Sequence, residues 1–144
     1  MLIKCKHLIC LIVVFLTFIP LAYADKVERC LVCGMDVSKY THVKYVVTTT
    51  DGKEYTTCGV QCGLTLHLRL KNNFKSATAT DLISHRTVDA KKAFYVYKSS
   101  VITDMAPGFI SFCTKANAKK FANGFGGQVV TYNDALEIWK KKMK

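Results

Sequence analysis

Two closely spaced thiol pairs constrain this chain more than any other feature. Cys30 and Cys33 form a C-x2-C pair followed at once by Gly34 and Met35, and Cys58 and Cys62 form a C-x3-C pair. Between the pairs, residues 43–49 and 53–57 read as two strands joined at Asp51-Gly52, a hairpin signal. Thiols separated by two residues turn both sulfurs to one side of a tight knuckle. Thiols separated by three residues at a helix start lie one turn apart on one face. Knuckle, hairpin and helix start therefore converge on one point, which is metal-site geometry.

Residues 1–24 read as a secretory signal peptide rather than part of the fold. Lys4 and Lys6 precede an apolar run over 8–21, and Ala22-Tyr23-Ala24 offers a small-x-small cleavage site, with Asp25 as the new N-terminus. The run falls short of the roughly 20 residues a membrane span needs. His7-Leu8-Ile9 before Cys10 lacks the small residues of a lipid-attachment site, so a periplasmic, non-lipidated protein is expected. Loss of the leader removes Cys5 and Cys10 of the seven cysteines, leaving Cys30, Cys33, Cys58, Cys62 and Cys113. It also removes two lysines from a formal charge of +11. The remaining chain, about 120 residues, suits one domain with a modest core. Exported cysteines commonly pair as disulfides, Cys30–Cys33 and Cys58–Cys62 among the options. Metal occupancy, an oxidoreductase partner or a low-oxygen habitat would each keep them reduced.

The helix expected after Cys62 has apolar residues at every second position from Leu64 to Leu70, which alone is strand period. The C-x3-C pair nonetheless requires a helical turn, with Asn72-Asn73 as its stop. Residues 76–84, polar and rich in Thr and Ala, read as the connection to a second half. There, 93–97 and 109–112 read as strands, Cys113 follows the hairpin as Cys58 did, and Thr114 caps a helix over 115–123 that Gly124 ends. A strand over 128–132 and a terminal helix complete the chain. Hairpin, cysteine and helix thus occur twice. The long hairpin connection carries Met105 before Ala106-Pro107-Gly108, a turn placed to aim a thioether at the first half. The expected fold is α+β, two β-β-α units packed as one small domain, with residues 25–80 as the first, metal-binding unit and 81–144 as the second.

The first unit resembles YHS-type heavy-metal-binding treble-clef motifs in Cys30-x-x-Cys33-Gly34-Met35 and Tyr55-Thr56-Thr57-Cys58-x3-Cys62. The wider pattern is similar to the NosL family, accessory proteins of nitrous oxide reductase. It runs through Asp89-Ala90-Lys91-Lys92-Ala93-Phe94-Tyr95-Val96, Ser99, Met105, Ile110-Ser111-Phe112 and an Ala/Phe helix ending in Gly126-Gly127. The resemblance implies an exported Cu(I)-binding metallochaperone that delivers copper to nitrous oxide reductase or a related exported copper enzyme. Carried over by position, Cys33 and Met35 match the family's Cys-Gly-Met, and Met105 matches its second-half methionine. Many members are lipid-anchored and many lack a C-x3-C pair, so this chain departs from the family in both respects.

Thiolate and thioether sulfur select soft ions, and Cu(I) has the best claim on methionine. Zn(II) would accept Cys30, Cys33, Cys58 and Cys62 as a closed structural site but has little use for Met35 or Met105. A general heavy-metal binder or structural four-cysteine zinc module of the cell envelope is thus the alternative reading. Cys113 reads as a small buried hydrophobe. His42, His67 and His85 sit in ordinary contexts, His42 being the one nearest the Cys-Gly-Met block. A thioredoxin-like site would need its C-x-x-C at a helix start, haem attachment would need histidine at position 34, and no nucleophile–base pair or phosphate loop stands out. An enzyme is not expected, nor is a nucleic-acid partner. The terminal Lys140-Lys141-Lys142 reads first as a dipole-compensating helix end and second as a contact for an acidic partner or an anionic membrane surface.

Intact-mass analysis of protein recovered from the envelope fraction checks the leader. The expected species begins at Asp25 with no diacylglycerol mass; another N-terminus or an added lipid rejects this reading.

Overall fold

The computed structural model of the protein describes residues 27–144, so the expected leader lies outside the described residues. Strands β1 (Tyr45–Thr49) and β2 (Glu54–Thr57) form the expected antiparallel hairpin, with Tyr45 opposite Thr57 and Thr48 opposite Glu54. At its turn the Gly52 N–H donates to the Thr49 carbonyl at 3.0 Å and the Thr49 N–H to the Lys53 carbonyl at 2.9 Å. Tyr45, Val47 and Thr49 point inward, the period-2 alternation of a half-buried strand.

Helix α1 (Val60–Leu70) follows, as the C-x3-C pair requires and against the strand period of its second half. That period misleads because α1 is not a surface helix. Every residue from Val60 to Leu66 is buried, enclosed by the first sheet on one side and by the second half on the other. A stretch of helix buried on all faces shows no single apolar stripe, and α1 reaches the surface only beyond Leu66, where Arg69 is exposed.

Residues expected to be a connection form a strand instead. Strand β3 (Phe74–Thr80) lies along the free side of β1, with Tyr45 opposite Ala79 and Val47 opposite Ala77, and β4 (Thr87–Asp89) adds to its outer edge. The sheet order is β2-β1-β3-β4. Composition hid β3 because its inward positions are Ala77 and Ala79, whose methyl groups share a core with Tyr45, Val60 and Leu64. The bulk that usually marks a strand comes from its neighbours.

The second sheet has the order β6-β5-β7, built from β5 (Phe94–Tyr97), β6 (Phe109–Phe112) and β7 (Gln128–Val130). Helix α2 (Lys115–Phe125) covers one face, packing Ala118 and Phe121 on Val96, Ile110 and Phe112. Thr114 caps it as expected, accepting from the Asn117 N–H, but the helix passes Gly124 and stops at Gly126. Helix α3 (Tyr132–Lys142) covers the other face with Ala135 and Trp139. The last strand is shorter than expected because Thr131 and Asp134 form a capping box that turns Tyr132 into the helix.

The halves are fastened by polar contacts as well as apolar ones. Trp139 Nε1 donates to Thr65 Oγ1 of α1 at 2.7 Å, and Ser111 Oγ donates to the Thr80 carbonyl at 2.6 Å. The expected α+β fold of two hairpin–cysteine–helix units in one body is thus observed, with β3 and β4 extending the first sheet. Among the described residues no helix is long and apolar enough to cross a membrane.

Gly63 is the tightest joint between α1 and the first sheet: a Cβ there would stand 2.1 Å from a Tyr45 ring carbon. Gly63→Ala should therefore destabilise the fold by about 1–3 kcal/mol, as overpacked core positions do. The expected signature is a lower urea midpoint with an unchanged slope. An unchanged midpoint refutes the tight joint.

Candidate metal centre

The first pair sits in a backbone knuckle. The Cys30 N–H donates to the Met35 carbonyl and the Gly34 N–H to the Cys30 carbonyl, both at 2.8 Å. Arg29 and Asp36 face each other across the stem, and the Val37 N–H closes it on the Glu28 carbonyl at 2.9 Å. Gly34 has φ +77°, a left-handed conformation that side chains resist, which is the reason glycine follows Cys33. Beyond the knuckle, Asp36 accepts from the Ser38 N–H at 3.0 Å and starts the 3-10 turns of Val37–Val43.

The second pair is placed by the start of α1. Cys58 precedes the helix and Cys62 lies in its first turn. Both are buried, and the Cys58 thiol reaches Cys62 Sγ at 3.6 Å. Across the gap Cys33 Sγ lies 3.4 Å from Cys58 Sγ. The sulfurs of Cys30, Cys33, Cys58 and Cys62 all lie within 4.8 Å of one another. These separations are far beyond the roughly 2.05 Å of a disulfide, and all five described cysteines are free thiols. Cys30, Cys58 and Cys62 are buried, whereas Cys33 is exposed.

Both methionines singled out in the sequence pack on this cluster, together with Val32, Val37 and Tyr40. Met35 arrives with the knuckle. Met105 arrives from the β5–β6 connection, as its turn had indicated. Cys113 lies apart at the start of α2, only partly buried, with its N–H donating to the Asp81 carboxylate. His67 is also accounted for elsewhere, stacked on Phe74 at 3.8 Å between ring centroids and paired through Nδ1 with the Tyr132 hydroxyl.

A family model for NosL matches residues 21–138. The chain belongs to the NosL family. Its fold is similar to that of the copper chaperone NosL from Shewanella denitrificans, with a TM-score of 0.69 at 21% identity, covering 76% of this chain and 90% of that one. In sequence it is similar to the HTH-type transcriptional repressor CutR of Bacillus subtilis (strain 168), at 24% identity over 120 residues. That match takes in 83% of this chain and 62% of the repressor, so the chain spans about three fifths of the length of this curated relative.

The thiols of this NosL-family cluster differ in acidity. Burial resists ionisation of Cys30, but hydrogen bonds from the backbone of Cys58, Cys33 and Val32 and from the Cys33 thiol outweigh it and bring Cys30 down to about 7. Burial pushes Cys58 well up, reinforced by its hydrogen bond with Cys33. Burial does the same to Cys62, reinforced by the charge at Cys30. Metal-free, the pocket therefore holds protons on its inner pair, and a bound cation must displace them.

Two participants were not legible in the sequence. Gln61, 1% exposed, reaches from α1 to the Met105 loop, donating through Nε2 to the Met105 carbonyl at 3.1 Å and the Pro107 carbonyl at 3.0 Å. Asp104 lays its carboxylate over Gly59, where a Cβ would stand 2.0 Å from Oδ2. That oxygen is enclosed without a hydrogen-bond partner, and burial raises the Asp104 pKa. The C-x3-C spacing marks the helix start, but nothing in it reports that the residue between the cysteines faces another loop.

Proposed function

We propose that this chain is an exported Cu(I) carrier that delivers its ion to nitrous oxide reductase or another exported copper enzyme. One observation carries the reading: four thiols lie within 4.8 Å of one another, Met35 and Met105 from two further points of the chain pack on their cluster, and one thiol remains at the surface. Sulfur alone makes a soft-ion site, and thioethers beside thiolates favour Cu(I) over harder or borderline ions. Membership of the NosL family and the fold shared with a copper chaperone support the same cargo.

The proposed donors are Cys33, Met35 and Met105, with Cys30, Cys58 and Cys62 behind them. The buried thiols hold the ion away from water. Exposed Cys33 and the half-buried thioethers lie where an acceptor's own ligands would take over, so that the ion passes by ligand exchange without being set free. The protein acts as a carrier rather than a catalyst. Its formal charge, +11 in the full chain less the two leader lysines, favours encounter with an acidic acceptor, and faster delivery at low salt. The exposed Lys140, Lys141 and Lys142 offer a further contact with an anionic membrane surface.

A second reading has an observation of its own. Four cysteine sulfurs within 4.8 Å, three of them buried, also match a closed structural zinc site. Competition titration of the reduced, anaerobic protein separates the two. The carrier reading expects about one tightly held Cu(I), preferred over Zn(II), and weakened when Met35→Leu and Met105→Leu are combined. Equal retention of Zn(II), indifferent to both substitutions, establishes the structural site instead.

The delivery role is tested in the producing organism. Deletion should leave the acceptor enzyme present but short of copper. Cys33→Ser and Met105→Leu should each impair rescue, while Cys113→Ser rescues nearly normally. Normal copper loading with lowered copper tolerance would instead identify an envelope metal-protection protein.

A further inference from the structure

The carrier reading leaves one question that the fold itself answers, namely what keeps Met105 on the thiol cluster. Met105 belongs to the connection between β5 and β6, not to a strand or helix. Its own loop ties it down weakly. Lys98 N–H to the Gly108 carbonyl closes the base at 3.2 Å, and Ser100 is bonded to the Phe125 carbonyl at the far side, away from the thiols. Between these points, among the described residues, the one side chain that reaches across from the cysteine-bearing helix is Gln61.

Gln61 is buried in the first turn of α1, directly before Cys62. Its amide spends both hydrogens on the carbonyls of Met105 and Pro107, while its Oε1 is enclosed with no partner. An orphaned buried acceptor is unfavourable and calls for an explanation. The explanation here is positional: the amide is turned so that its donors, not its acceptor, are used, and both go to the Met105 loop. Asp104, next to Met105, packs its carboxylate closely over Gly59 at the start of the helix.

We propose that Gln61 is a positioning residue that clamps the Met105 thioether onto the thiol cluster and so sets the pocket's preference for Cu(I) over thiolate-seeking divalent ions. The proposal rests on the reading of Met105 as a Cu(I) donor. One helical turn then carries both Cys62 and the side chain that ties down the Met105 loop. Residues that orient metal donors typically change metal affinity about 10–100-fold when replaced. The clamp's hydrogen bonds go to the backbone of the Met105 loop and to no thiol, so its loss weakens Cu(I) binding and spares Cd(II), which the thiolates hold.

The test measures Cu(I) affinity and release rate by chelator competition, and Cd(II) affinity alongside, for Gln61→Leu, Met105→Leu and the double variant. Gln61→Glu, which keeps the side chain's shape but cannot donate when ionised, serves where Gln61→Leu fails to fold. We expect Gln61→Leu to lower Cu(I) affinity about tenfold or more, within the range for orienting residues, with Cd(II) affinity unchanged. In the Met105→Leu background neither Gln61 variant should weaken Cu(I) binding further, whereas in a Met35→Leu background the loss should persist. A full additional loss on top of Met105→Leu, an equal loss of Cd(II) affinity, or no loss of Cu(I) affinity from Gln61→Leu overturns the clamp. If Met105→Leu alone leaves Cu(I) affinity untouched, Met105 is not a donor, and the underlying reading falls first.

Discussion

The first turn of α1 has to satisfy three neighbours at once, and the rest of the molecule is arranged around that demand. On one side the bare Cα of Gly63 admits the Tyr45 ring from the first sheet. On another, Gly59 leaves room for the Asp104 carboxylate from the second half. On the third, Cys58 and Cys62 face the knuckle. Glycines thus stand at positions 59 and 63 for lack of space, whereas Gly34 is required by backbone conformation. The helix is consequently held by close steric contact as well as by apolar area, and small shifts of it are resisted by the Tyr45 ring on one side and the Asp104 side chain on the other.

Much of this was legible from the residues. Thiol spacing located the knuckle and the helix start, Asp51-Gly52 located the first hairpin, and the Thr114 cap located α2. Each of these signals is local, a short-range geometric requirement written into a few adjacent residues. What escaped the sequence was non-local. Strand β3 looks like a polar link because Ala77 and Ala79 fill space between larger partners that lie elsewhere in the chain. Gln61 looks like a surface glutamine, and its burial follows from a loop more than forty positions away. The end of the last strand was misplaced for a related reason: Tyr132 suits a strand on its own, but the Thr131–Asp134 capping box decides for helix.

The same division applies to the metal centre. Residue type and spacing brought the four cysteines forward, and the turn at Pro107 brought Met105. The differences within the cluster could not be read in that way. Cys30 and Cys62 are chemically identical in the sequence, yet one is drawn down to about 7 by surrounding hydrogen bonds and the other is driven up by burial and a neighbouring charge. Acidity of this kind belongs to the arrangement of backbone N–H groups and enclosed volume, and only the folded chain specifies it.

Cys33 gives the cluster a front and a back. Three thiols are enclosed and one is open to solvent, so a foreign ligand meets thiol sulfur first at Cys33. In the proposed carrier, exchange at such an opening would be sequential, the newcomer engaging at the outer thiol while the inner three keep their hold. The ion would then change owner at a pace governed by the visitor's approach rather than by its escape into water. The opening would act as a turnstile, with the direction of traffic set by which side offers the better inner donors.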